Sequence, residues 1–203
     1  MYGEIVTTKT APVTDVRRAV LDAALSVIAS DGPDSVSMRD IARRAGVSHQ
    51  APYHHFGDRA GVFAAIAAEG FDRIADIFDQ ILDDGGEPGT DCLAAYVHFA
   101  VDNPGHFRVM FRSDLSGTGI DPGATAASER AFEAVVRLAN QVTSTGWNER
   151  DRALFPHMLW SQAHGIATLL IDGPLKVKLP QGTTVEDLID SVSRALMRGL
   201  SNP

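Results

Sequence analysis

The sequence predicts an all-α protein of about nine helices, a small N-terminal head joined to a larger helical body. Three observations predict it. Apolar residues recur at i, i+3 and i+4 in almost every segment. Stretches rich in Gly, Pro and Ser, such as SDLSGTGIDPG (113–123) and DGPLKVKLPQGTT (172–184), separate several of the periodic segments. Only Lys176-Val177-Lys178 reads as a possible short strand. The head is placed at 12–58 and the body at 59–203, with the long helix counted in the body, although the loop GGEPGT (85–90) that ends that helix is the best candidate in composition for a boundary between head and body.

The elements follow in order. Val16, Val20, Ala23, Ala24, Val27 and Ile28 form one apolar stripe, and Gly32-Pro33 stops that helix. Ser37-Met38-Arg39-Asp40 has the capping-box pattern, in which Ser37 and Asp40 would satisfy the helix-start donors reciprocally. The short helix it opens turns Ile41, Ala42 and Ala45 inward and ends at Gly46. A long helix capped by Asp58 runs to about residue 84, with Phe63, Ile66, Phe71, Ile74, Phe78 and Ile81 available for burial. Further helices are expected at about 90–102, 104–112, 122–145, 149–171 and 184–200.

Composition narrows the class. With 203 residues, 44% hydrophobic and 22% charged, the chain can bury a core and is ordinary for a globular protein. One cysteine, Cys92, excludes an internal disulfide framework and a cysteine-only zinc cluster. No basic, apolar leader opens the chain, the first eleven residues read as a loose tail, and no run approaches the roughly 18 apolar residues of a membrane span. A cytoplasmic protein without membrane partners is expected. The net charge of −8 is unevenly placed: residues 1–60 carry seven Lys/Arg and seven Asp/Glu, leaving eleven against nineteen for 61–203. An acidic body on a neutral, arginine-dotted head fits nucleic-acid binding better than a uniformly acidic chain.

The segment GVSHQAPYHHF (46–56) asks most of the reader, with three histidines in seven residues. A metal site needs rings at i, i+3 or i+4 on one helix face. His49 and His54 are five apart, about 140° around a helix, and His54 and His55 diverge by about 100°. No metal and no cofactor are expected. With Ser48 as N-cap, Pro52 falls at the fourth helical position and Val47 can staple against it, so the helix is expected to begin late or with a loosened first turn. A capped helix, a tight turn at Gly46 and a second short helix make a helix-turn-helix, so the head is expected to be a three-helix unit of that kind. The second helix would enter the major groove. His49 and Gln50 can bond base edges, Ala51 can meet a thymine methyl, and Tyr53 and His54 can reach bases or phosphates. The helix starts at Ser37 and Asp58-Arg59 mark phosphate clamps. The bland alternative is that these polar groups only solvate a surface helix.

Ser37-Met-Arg-Asp-Ile-Ala-Arg-Arg-Ala-Gly-Val-Ser, followed by Ala51-Pro-Tyr-His-His-Phe and Asp58-Arg59, resembles the head of the TetR family of transcriptional regulators over about 15–80. Tyr53, His55, Phe56 and Arg59 match that family's Tyr-x-His-Phe and following basic position. The resemblance implies a homodimer on a pseudo-palindrome in double-stranded DNA, with His55 and Arg59 on phosphate and His49 and Gln50 reading sequence. The full DNA-contacting set is then Ser37, Arg39, Ser48, His49, Gln50, Ala51, Tyr53, His54, His55 and Arg59. Two departures stand out: arginine where lysine is commoner at 59, and Ala60-Gly61, expected to weaken the start of the long helix.

In the body, Trp160-Ser-Gln-Ala-His164-Gly165 and Asn103-Pro-Gly-His-Phe-Arg-Val-Met-Phe111 resemble motifs of the WHG type of TetR C-terminal domain. Trp160 and His164 share a helix face at i, i+4, either lining a pocket or fixing helix packing, and Gly165 is expected to allow close helix approach. A small, largely apolar effector is implied, with Phe99, Phe107, Met110, Phe111, Phe132, Val136, Met158, Trp160 and His164 as candidate contacts and His98 or His106 as further polar groups. The resemblance implies dimerisation through the last two helices, so Leu154, Leu159, Ile166, Leu169 and the stripe Val185, Leu188, Ile189, Val192, Leu196 and Leu200 divide between core and partner. Phe71, Ile74 and Phe78 are the expected mechanical link from body to head. No nucleophile–base spacing, glycine-rich phosphate loop or basic neighbour of Cys92 supports an enzyme. The expected function is a regulator, a repressor in the commonest case of the family. A regulator without a ligand remains the alternative.

Overall fold

The computed structural model describes residues 13–85, 88–112, 121–143 and 147–200. Ten α-helices and one 3-10 turn (Pro33–Ser35) make up the described residues, with no strand among them. The head holds α1 (Val13–Asp31), α2 (Met38–Arg44) and α3 (Ala51–Phe56), and α4 (Arg59–Asp84) runs from it into the body. The body adds α5 (Pro88–Asp102), α6 (Pro104–Met110), α7 (Pro122–Val142), α8 (Glu149–Ile171), α9 (Pro174–Lys178) and α10 (Val185–Leu200).

The helix beyond the expected nine is α9, which takes the segment that the sequence presents as a possible short strand. Gly173 takes a left-handed φ of 92° and Pro174 supplies the pre-set φ of a first helical residue, so Lys176-Val177-Lys178 closes a single turn. The Leu179 N–H donates to the Leu175 carbonyl at 3.0 Å. Val177 ends up 86% exposed.

One apolar core runs through head and body. From α1 it takes Val20, Leu21, Ala24, Val27 and Ile28; from α2, Met38 and Ile41; from α4, Phe63, Ile66, Phe71, Ile74 and Phe78, with Ile81 packed at its edge. Helix α4 is the spine, packed on α7 and α6. Outside, the Arg130 guanidinium donates to Asp76 at 2.8 Å and Asp72 at 3.0 Å, and Arg137 pairs with Asp79. Such exposed pairs orient α7 on α4 more than they stabilise it. Helix α10 rests on α5 with Ile189 buried and Val185, Leu188, Val192 and Leu196 half-buried. The Leu200 side chain lies outside the described residues.

Three local expectations are corrected. The capping box at Ser37 does not form: the Ser37 hydroxyl makes no cap bond, and the Asp40 carboxylate turns to Arg44 at 2.7 Å and Arg43 at 2.5 Å. Two charge-assisted bonds outcompete one neutral backbone donor. Their hydrogen bonds hold Asp40 below the usual carboxylate range. Second, Gly165 serves no helix approach within the protomer, since a Cβ added there would find nothing within 4 Å.

The third concerns the start of α4, which is not weak. The Asp58 carboxylate accepts from the Gly61 N–H at 2.9 Å, closing the first turn. A Cβ on residue 61 would sit 1.9 Å from the Phe56 carbonyl oxygen. Glycine is therefore required there by the approach of α4 to the end of α3.

Candidate nucleic-acid interface and body cavity

The recognition segment differs from its expected start. Ser48 caps nothing; its carbonyl accepts the Ala51 N–H at 3.0 Å in a turn that holds His49 and Gln50. Gln50 is the N-cap and Pro52 falls in the first turn of α3, where its missing N–H leaves no bond unmade. The segment enters from α2 through Gly46 at φ 68°. Pro52 is buried and Phe56 packs against the core, so the inner side of α3 is apolar.

Its outer side is polar and open. Ser37, Arg39, Ser48, His49, Gln50, Tyr53 and His54 are exposed, and Ala51 and His55 are half-buried. The expected set is thus exposed or half-buried along α2, α3 and the turn between them, with one residue set apart. Arg59 donates to the Pro33 carbonyl at 2.9 Å, lies 3.6 Å from Asp34, and has its guanidinium 5.0 Å above the Phe63 ring. It braces α4 to the turn after α1. Arg39 has no ion-pair partner among the described residues, whereas Arg43 and Arg44 share Asp40. Arg17, which the pattern did not single out, lies 5.2 Å over the Phe56 ring and supports the end of α3. Among the described residues no three His, Cys, Asp or Glu side chains converge on a possible metal position.

The body contains a cavity of about 860 Å³ between α4, α6, α7 and α8. Met110, Phe111, Phe132 and Trp160 line it, as the sequence suggested, and so do Phe71, Ile74 and Phe78 of α4. The other candidates lie elsewhere, for reasons of helix phase. Val136 is one residue beyond the lining Val135, about 100° round α7, and Met158 is two before Trp160 and 56% exposed. Phe99 and Phe107 are buried in the core away from the cavity wall. His98 sits outside, 3.7 Å from Glu186.

His164 stands behind the wall. Its Nδ1 lies 3.0 Å from the hydroxyl of Tyr96, which does line the cavity. The imidazole stacks on Phe107 and meets Phe111 edge-on, with centroids 5.1 and 4.5 Å apart. Burial holds His164 below the ordinary histidine value and raises the Tyr96 phenol. Tyr96 was missed because a lone tyrosine at this spacing has no local signature; its partner is 68 residues away.

Helix α6 connects this cavity to the head. Its Met110 and adjoining Phe111 touch the cavity, while Arg108 donates to the Ile28 and Ala29 carbonyls, at 3.1 and 2.8 Å, near the end of α1. His106, 4% exposed, bonds Glu69 at 3.2 Å, and Glu69 also receives Arg18 of α1 at 2.6 Å and pairs with Arg73. Burial disfavours the Glu69 carboxylate, but Arg18 and Arg73 outweigh it and hold the acid below its ordinary value. Burial likewise keeps His106 low, against the pull of Glu69. Cys92 is buried and its thiol is pushed up to about 12, which suits packing rather than nucleophilic chemistry.

A helix-turn-helix with an open polar side, carried on a helical body with a half-open cavity, defines a DNA-binding regulator. Residues 20–66 match the family model described as bacterial regulatory proteins, tetR family, and 89–192, half of the chain, match that of a tetracyclin repressor-like C-terminal domain. The chain belongs to the TetR family of transcriptional regulators, a family of DNA-binding proteins rather than enzymes. It is 23% identical over 176 residues to an uncharacterised HTH-type transcriptional regulator, Rv0681, of Mycobacterium tuberculosis, covering 84% of this chain and 77% of that one. It is 30% identical over 103 residues to the HTH-type transcriptional repressor Rv3405c of the same organism, covering 51% of this chain and 48% of that protein. A solved structure of a protein of unknown function from Rhodococcus sp. RHA1 superposes with a TM-score of 0.78 at 26% identity, covering 98% of this chain and all of that one.

Proposed function

We propose that the protein is a cytoplasmic repressor that binds a pseudo-palindromic operator as a homodimer and responds to a small, largely apolar effector. The observation that carries the DNA part is the two-sidedness of α3: Pro52 and Phe56 anchor it while His49, Gln50, Tyr53 and His54 stay exposed. In this reading His49 and Gln50, carried in the turn before α3, read base edges, while Ser37, Arg39, Ser48 and His55 hold phosphate. Arg59 sets the pose through the Pro33 carbonyl. No helix among the described residues is long and apolar enough to cross a membrane, which agrees with a cytoplasmic regulator.

Dimerisation is supported by α8. Leu154, Met158 and Leu169 are 47, 56 and 46% exposed, and with Gly165 they follow steps of 4, 7 and 4 along one helix face. Large exposed apolar side chains in a row mark an interaction surface, and a glycine open to the outside lets a second helix approach closely. Together with α10 this face would build the two-fold interface that sets the heads about one DNA turn apart.

The test is a binding titration with Gln50→Ala and, separately, Leu154→Glu with Leu169→Glu. Gln50→Ala should lose preference for the operator over unrelated duplex while retaining salt-sensitive binding. The double variant should sediment as a monomer. Unchanged discrimination in the first, or an unchanged dimer in the second, would contradict the corresponding part.

A further inference from the structure

We propose that the effector is an amphiphilic organic cation, a hydrophobic ring or chain body carrying one positive centre; this rests on the reading of the cavity as the effector site. Two features of the wall point to it. The floor is aromatic, with Phe71, Phe111, Phe132 and Trp160 presenting ring faces and edges around one space. Aromatic faces attract cations, most strongly where water is displaced.

The second feature is the charge at the rim. Glu129 and Glu133, one turn apart on α7, both line the cavity, and neither has an ion-pair partner among the described residues. They contrast with Asp72, Asp76 and Asp79 nearby on α4, which are all taken up by Arg130 and Arg137. Groups that would favour an anion are already engaged. Asp121 occupies the start of α7, accepting from the Gly123 and Ala124 N–H groups at 2.9 and 3.0 Å. Arg112, the only Lys or Arg among the described residues that line the cavity, already has an interaction partner. The excess of nineteen acids over eleven bases in 61–203 adds a field that draws cations toward the body.

Calorimetry on the full chain with three probes tests this. Tetraphenylphosphonium and tetraphenylborate share shape and differ in charge sign, and N-phenyl-1-naphthylamine is neutral. The phosphonium should bind at least tenfold more tightly than the borate at low salt. The exposed, helix-compatible pair Glu129→Gln and Glu133→Gln should abolish most of that preference while moving the neutral probe less than twofold. Ser128→Trp, at the cavity wall, should weaken phosphonium and neutral probe together. Borate binding as tightly as phosphonium, or a preference that survives the double substitution, would overturn the cation assignment while leaving an effector cavity in place. Failure of all three probes to bind would overturn the cavity reading as well.

Discussion

Replacing Gly61 by alanine tests how the recognition helix is held. In an unobstructed helix interior the change would stabilise by about 0.5–1 kcal/mol, because alanine loses less backbone entropy. Here the new Cβ would lie 1.9 Å from the Phe56 carbonyl oxygen, whereas real Cβ atoms essentially never come within 3.0 Å of a heavy atom outside their own and adjoining residues. The two helices must part by roughly 1 Å, and the yielding atom is backbone, so no rotamer change relieves it. Overpacking of this kind costs about 1–3 kcal/mol or more. For a chain of this size that is a fall in Tm of roughly 2–4 °C per kcal/mol. Since Phe56 ends α3, relief of the clash tilts the recognition helix, and operator affinity should fall by more than the stability loss explains. Thermal melts and a DNA titration at a temperature where both proteins are folded provide the assay. An alanine variant with equal or higher Tm and unchanged operator affinity would refute the reasoning.

Three further outcomes are expected. Burial holds His106 and His164 below the ordinary value of 6.5, so below that pH the unfolded chain takes up protons that the folded chain refuses; stability is full above it and declines as the pH falls toward 5, by at most about 1.4 kcal/mol per unit per histidine. A melting series between pH 8 and 5 in which Tm stays flat or rises on acidification would contradict this. Arg39→Ala should weaken binding to all duplexes alike and lower the salt slope by about one counterion; a sequence-selective loss would instead place Arg39 on a base. His164→Ala leaves the buried Tyr96 hydroxyl without its 3.0 Å partner and should cost about 1–3 kcal/mol by urea unfolding. If His164 serves only packing, the variant's residual effector response should match wild type once both are folded.

Much of the helical plan was legible because period and punctuation are local. Gly32-Pro33, Asp58 and the α4 stripe sit where one-dimensional rules put them. Three kinds of feature were not legible. Competition between local partners was one: Asp40 had arginines at i+3 and i+4 as well as a backbone donor, and the spacing cannot rank them. Helix phase was another, since an error of one residue separates the lining Val135 from Val136. The third was long-range pairing. His106 was visible as a polar residue in a motif, but its bond to Glu69 and the further bond from Glu69 to Arg18 join α6, α4 and α1 across 37 and 51 residues. Gly61 shows the same limit: its close neighbour is five residues back, across a turn whose angle no spacing rule supplies.

The central claim is that two recognition segments read DNA as a pair. Selecting bound duplexes from a random pool with the full chain, at low and moderate salt, tests it most directly. The expected result is recovery of a pseudo-palindrome whose half-sites lie about one helical turn, or a multiple of it, apart and persist at moderate salt. Recovery of only unpatterned duplexes, lost together as salt rises, would contradict it, because binding would then rest on phosphate charge alone.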